Sequence, residues 1–254
     1  MYNWEYIDEC YIYDGSFNGL LTIVFDCYIN NQIPIKISTN ELYENNILDK
    51  IKNIETDEDK SKRIYNGIIK NISYSALYIS YNAFLSGKKE KEIIILKFLL
   101  NGFKIGSNII TMFSIDYVTD TLMLKRNTLF EAHRLKGLVK FRCIGNNLYY
   151  APMHPDNNVI EHVGKHFIDR LPAQNFILHD KNRNIALIYN TKEYSIFDIP
   201  ENFKISEFSE EEKMYQKLWK TFFKTISIKE RTNPKLQMNY MPKKYWKDLV
   251  EKES

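Results

Sequence analysis

Glycine and proline are scarce in this 254-residue chain, nine and seven residues respectively, so few segments qualify as long flexible linkers. Cysteine is scarcer still. Cys10, Cys27 and Cys143 are odd in number and far apart, which argues against a secreted disulfide scaffold. No CxxC or CxxxCxxC occurs, so neither a zinc ribbon nor an iron–sulfur cluster is expected in this chain. Long apolar runs are missing as well. Ile93–Leu96 and Phe98–Leu100 are cut short by Lys97 and Asn101, and nothing approaches the ~18 apolar residues that a membrane span requires. The opening Met1-Tyr2-Asn3-Trp4 has no basic region followed by an apolar stretch, so a cytoplasmic location without membrane contact is expected. Gly-x-Ser-x-Gly, Gly-x-Gly-x-x-Gly and P-loop patterns are absent. No cofactor is expected.

What is abundant is aromatic, with 18 Tyr and 15 Phe. The accompanying wealth of Ile, Asn and Lys is the mark of an AT-rich coding sequence, so composition alone assigns no function. Charge is more informative. The net value is only +3, yet between Lys213 and Lys247 ten Lys/Arg face the single acid Glu230. A basic tail on an acidic body suits a polyanion partner. A solvated helix face is the plain alternative.

Along the chain, Tyr6–Tyr13 reads as a strand and Asp14-Gly15 as a turn. Ser16 is placed to cap a helix carrying Phe17, Leu20, Leu21, Val24, Phe25 and Tyr28. Ile33–Ile37 reads as an edge strand because of Pro34. Residues 57–84 read as helix, Glu90–Leu100 as a further helix stopped by Asn101-Gly102, and Tyr117–Leu135 as another. The second half changes character. Hairpins are expected around Gly145-Asn146-Asn147 and around Lys181–Asn184, and a short strand at Tyr194–Phe197. Asn158 is placed to cap a helix reaching Leu171, and Ser209 a long helix with acids first and lysines later. The expected class is α+β. A mostly helical region with short strands, residues 1–110, precedes a domain at 111–254 built on an antiparallel sheet of two hairpins, helices on one face.

Several ordered blocks carry a family resemblance: Tyr13-Asp14-Gly15-Ser16-Phe17-x-Gly19-Leu20-Leu21, Glu131-Ala132-His133-Arg134-x-Lys136-Gly137, Phe141-Arg142, Tyr150-Ala151-Pro152 and Pro155-Asp156. Further blocks are His166-Phe167-x-Asp169-Arg170, Ile177-x-His179-Asp180-x-x-Arg183, and Lys229-Glu230-Arg231-x-Asn233-Pro234 continuing to Met241-Pro242-Lys243-x-Tyr245-Trp246. In these the chain resembles a bacterial family of DNA-metabolism and DNA-repair proteins built on a domain of unknown function. Members are typically encoded beside a radical-SAM protein, and some longer ones are fused to a uracil-DNA-glycosylase-like domain. Residues 40–110 match little. The sequence departs from the family pattern at His154, where an acid is usual, and at Asn157, where histidine is frequent. The resemblance implies DNA repair or DNA modification, with DNA (single-stranded or damaged) and a radical-SAM protein as partners.

The residues offer three chemistries. His133, His166, His179 and Asp180 are the candidates for catalysis on a nucleobase or phosphodiester, since several adjoin strand ends or turns. Arg134, Arg142, Arg170 and Arg183 bring planar forks that suit phosphate, with structural ion pairing as the rival role. Together with Lys136, Lys229, Arg231, Lys243, Lys244 and Trp246 they form the expected nucleic-acid surface, bases stacking on rings and phosphates meeting cations. His162 and His166 have chelating i, i+4 spacing, with His179 or Cys143 to complete a set, but no metal site is expected. The leading expectation is a DNA-binding accessory protein. The rivals are an enzyme using the His/Asp/Arg cluster and a protein–protein adaptor that touches no DNA.

Overall fold

The computed structural model describes residues 4–40, 42–43, 50–200, 203, 210–226 and 233–252. The chain is α+β and forms two compact units, residues 1–128 and 129–254.

In the first unit, β1 (Glu5–Tyr13), α1 (Phe17–Asn30) and β2 (Gln32–Thr39) make a parallel strand–helix–strand unit, and β3 (Ile51–Asn53) joins the free edge of β1 in parallel. Local chemistry sets the boundaries. Gly15 takes φ +77°, Ser16 Oγ accepts the Gly19 N–H, and Asn31 ends α1 at φ 55°. The order β2-β1-β3 puts Pro34 on an edge strand, as expected. The expected helix at 57–84 is broken. α2 (Glu58–Gly67) runs into a π turn, Ile68–Ile72, and Ser73, extended at φ −178° ψ 161°, caps α3 (Tyr74–Phe84). The helix α4 (Lys91–Ile105) passes through Asn101-Gly102 rather than stopping there. Gly102 lets the helix press on Ile72, and the helix ends at Gly106, φ +82°. These helices, with the start of α5 (Asp116–Leu138), surround a core of Leu20, Leu21, Ile68, Leu96, Phe98 and Leu99.

The second unit holds a five-stranded sheet in the order β4-β5-β6-β7-β8: Arg142–Cys143, Leu148–Met153, Asn175–Asp180, Ile185–Tyr189 and Tyr194–Asp198. Gly145, Asn146 and Asn147 all take positive φ in the first hairpin, as the expected turn requires. The two hairpins do not join antiparallel. The helix α6 (Ile160–Arg170) lies between β5 and β6 as a crossover, so those strands run parallel and the sheet is mixed. The residue that begins α6 is Val159, with no side-chain cap, and not Asn158. The helices α7 (Glu210–Ile226) and α8 (Pro234–Tyr240) and 3-10 turns at Lys243–Asp248 and Val250–Lys252 complete the unit. Ser209, the expected cap of α7, lies outside the described residues.

Helix α6 approaches the sheet closely at Gly164, where a Cβ would sit 2.3 Å from Leu187 Cδ1. Leu187 is fully buried in the core, so moving it disturbs its packed neighbours. Gly164→Ala is therefore expected to destabilise by about 1–3 kcal/mol through overpacking, despite alanine's ~1 kcal/mol helical advantage over glycine. Gly137→Ala, with nothing within 4 Å of the new Cβ, is expected to stabilise. Urea unfolding of the two variants checks the opposite signs.

Candidate functional site

Strand alternation divides the second sheet into two faces. Ala151, Met153, Phe176, Leu178 and Leu187 face α6, whose Val163 and Phe167 complete an apolar core. The opposite face mixes apolar residues, among them Ile177 and Ile188, with polar ones. Arg142 pairs with Tyr150 across β4–β5, and Pro152 with His179 across β5–β6, so Arg142, Tyr150 and His179 share it. Tyr150 and His179 are 4% and 1% exposed, and the phenol oxygen lies 2.9 Å from His179 Nδ1. Burial, then the charges of Lys181 and His154, hold the imidazole down at about 4. Burial, then the Asp248 carboxylate, pushes the Tyr150 phenol up to about 12. Both groups are neutral near pH 7. The phenol then donates to Nδ1, which assigns the imidazole proton to Nε2. Among the described residues Nε2 has no partner. Just beyond β5, His154 Nδ1 meets Asp248 Oδ2 at 2.9 Å, which ties the C-terminal 3-10 turn to the sheet.

The loop following β5 is held from two sides. From one side, Asp180, fully buried, accepts the backbone N–H groups of Asn182 and Arg183 and the Arg183 guanidinium at 3.0 Å. Arg183 and Asn182 in turn donate to the Pro155 carbonyl, and Arg183 also to that of Asp156. Burial outweighs the pull of Arg183 and raises the Asp180 carboxyl above its ordinary value. From the other side comes Glu131 of α5, 5% exposed. It accepts from the N–H groups of Asp156 (3.1 Å) and Asn157 (2.8 Å), the Asn157 amide, the Lys244 ammonium (2.8 Å) and the Tyr245 hydroxyl. Burial would raise this carboxyl, but the bonds from Lys244, Tyr245, Asn157 and Asp156 outweigh it and hold it low.

The candidates named from sequence do not converge on one cleft. His179 occupies the sheet face opposite α6, and α6 carries His166, whose ring lies edge-on to Phe167. His133 is exposed on α5. Asp180 and Arg183 pair with each other. Lys244 bridges Glu131 and Asp156, and Arg142 is 9% exposed, with Nη2 directed to the Asp248 carbonyl. Arg134 reaches the Asn239 carbonyl and covers the Phe130 ring. Trp246 donates to the Met241 carbonyl, with Lys243 and Lys252 over its ring. Arg170 is exposed and Lys136 half-buried, while Lys229 and Arg231 lie outside the described residues. Among the described residues no group of three or more His, Cys, Asp or Glu side chains could hold a metal, so His162 and His166 gain no third ligand.

Sequence reasoning places Glu131, Tyr150 and Tyr245 within the family blocks without naming them as site residues, and does not name Asp248. Glu131 had a readable signal. Thr128, Ala132 and Leu135 are buried around it on α5, and an acid on such a stripe must find a buried donor.

The basic, aromatic character of the tail is displayed most openly on α7. Lys213 and Lys217 are exposed and Lys220 half-buried, and with Gln216 and Thr221 they line a shallow concavity. On the opposite flank of the helix Tyr215, Trp219 and Phe222 remain 57%, 40% and 53% exposed. Lys140 lies over the Trp219 ring, and the indole N–H donates to Glu251, which anchors the helix without covering its rings.

No curated protein and no solved structure matches this chain. No helix among the described residues is long and apolar enough to cross a membrane. The family match, spanning residues 89–251, takes in α5, the whole mixed sheet and α7, and by it the chain belongs to the domain-of-unknown-function family DUF4130.

Proposed function

We propose that the chain is a DNA-binding accessory protein of DNA repair or modification, which engages single-stranded or damaged DNA and acts beside a radical-SAM enzyme in the bacterial cytoplasm. The observation that carries the reading is α7, where Lys213, Lys217 and Lys220 recur at four and three residues on one flank and exposed Tyr215, Trp219 and Phe222 lie on the other, for a strand that crosses the helix. Ammonium groups on one flank of a helix suit phosphates. Rings left open to solvent suit unstacked bases, which a duplex does not offer. The rival enzymatic reading is weaker, because His179 and Asp180 are 1% and 0% exposed and Phe203 lies edge-on to the His179 ring.

Fluorescence anisotropy against a single-stranded oligonucleotide and its duplex, each titrated with salt, tests the proposal. The single strand is expected to bind more tightly. Changing Lys213, Lys217 and Lys220 together to alanine is expected to lower the log–log salt slope by about 2, at ~0.7 per phosphate contact. A protein that binds neither strand form, or a slope untouched by the triple change, ends the proposal.

A further inference from the structure

The first unit contains a cavity of about 340 Å³ between the start of β1, α4 and the first turn of α5. That is the lower end of the ~300–1,000 Å³ of small-ligand pockets. Its walls include Trp4, Tyr6 and Tyr117. The Trp4 indole is fixed by a bond to the Asn101 amide, which is itself held by the Lys97 carbonyl. Tyr6 stands at the rim, 63% exposed. Burial, then the proximity of Tyr6, raises the Tyr117 phenol, so it remains a neutral donor.

Charged groups of both signs enter the same cavity and leave each other alone. Lys97 contributes an ammonium, 5.3 Å from the Tyr6 ring centre. Asp116 and Asp120 contribute carboxylates from one face of α5, at i and i+4. Among the described residues none of the three has an ion-pair partner, although Lys97 and Asp120 are half-buried. A half-buried charge left unpaired in a concave site is suited to a ligand that brings its counterpart. That ligand must be flat enough for aromatic walls, carry an anion for Lys97, and present N–H donors for Asp120.

We propose that this cavity binds a mononucleotide whose base carries an exocyclic amino group. The ring lies against Tyr6 and Tyr117, the phosphate meets Lys97, and the amino group donates to Asp120. The cavity volume leaves little space for a dinucleotide. The site lies in the other unit from α7, so its test stands or falls separately from DNA binding.

Isothermal titration of the full chain with AMP, CMP, UMP and adenosine is the direct experiment. AMP and CMP are expected to bind at millimolar Kd or tighter, and UMP about fivefold more weakly. Tyr6→Ala is expected to weaken AMP about tenfold, the scale of a lost base–aromatic stack. Lys97→Ala should weaken AMP about tenfold and adenosine by less than about twofold. Asp120→Asn should erase the preference of AMP over UMP. Tyr6 is largely exposed, so its variant keeps the fold and the test intact. No AMP binding at about 5 mM, AMP binding indifferent to both Tyr6→Ala and Lys97→Ala, or tighter binding of zwitterionic phenylalanine than of AMP would each overturn the proposal.

Discussion

Replacing Glu131 with alanine is expected to cost about 3–5 kcal/mol, the largest single loss among the changes considered for the second unit. The reason is the number of groups left behind. Lys244, Tyr245 and the backbone N–H groups of Asp156 and Asn157 all direct their protons at this carboxylate, which is 5% exposed. Alanine removes the only acceptor of the Tyr245 hydroxyl seen among the described residues, and Tyr245 is itself 2% exposed. Glu131→Gln should cost less, about 1–3 kcal/mol, because an amide oxygen still accepts some of these bonds while the charge partner of Lys244 is lost. Removing the cation instead, by Lys244→Met, should be milder than Glu131→Ala, since the carboxylate keeps its other donors. Folded Glu131 titrates below its ordinary value. Its stabilisation is therefore full above the carboxylate range and is lost as pH falls through the lowered folded value. Urea unfolding followed by tryptophan fluorescence measures these losses. A cost under about 1 kcal/mol for Glu131→Ala would show that the loop after β5 is held by Asp180 and Arg183 alone.

How far the sequence could be read depends on how local the cause is. The turn at Gly15 and the Ser16 cap each arise from one side chain and its next neighbours, and both are legible. The break at Ser73 is not. Ile64, Ile68, Ile72 and Ala76 continue one apolar stripe across it, and periodicity does not register a single extended residue. Asn101-Gly102 misleads for the opposite reason. A glycine required by contact with Ile72 looks like a glycine required by a turn. The parallel pairing of β5 with β6 depends on where α6 lies, and neither strand's own sequence encodes it. The candidate site divides in the same way. His179-Asp180 at a strand end is readable, and Arg183 is only three residues from its partner. Tyr150 lies 29 residues from His179, and Lys244 lies 113 from Glu131. Counting Lys244 among exposed cations is natural in a basic tail, and only the folded contact reveals it as an internal tie.

An acid-side loss of stability attributable to His179 is the second expected result. In the unfolded chain its imidazole titrates at the ordinary 6.5, and in the folded protein at about 4. Between those values the unfolded state binds more protons, so stability falls as pH drops from about 6.5 toward about 4 and this contribution flattens below. With the ring 1% exposed, solvent screens little, and the loss should total about 2–3 kcal/mol. Glu131 acts lower, below the ordinary carboxylate value. Asp180, raised by burial against the pull of Arg183, acts in the opposite sense above its ordinary value. Subtracting a variant curve, not reading the raw one, therefore isolates the imidazole. His179→Gln preserves an acceptor for the Tyr150 hydroxyl and removes the titration. It should cost about 1 kcal/mol at pH 7 while removing the His179 share of the decline between pH 6.5 and 4 and leaving that of His162, which burial also lowers. Denaturant midpoints of wild type and variant across that range make the comparison. A variant that keeps the full decline would mean the buried imidazole is already charged near pH 6, and the neutral Tyr150–His179 pair would have to be abandoned.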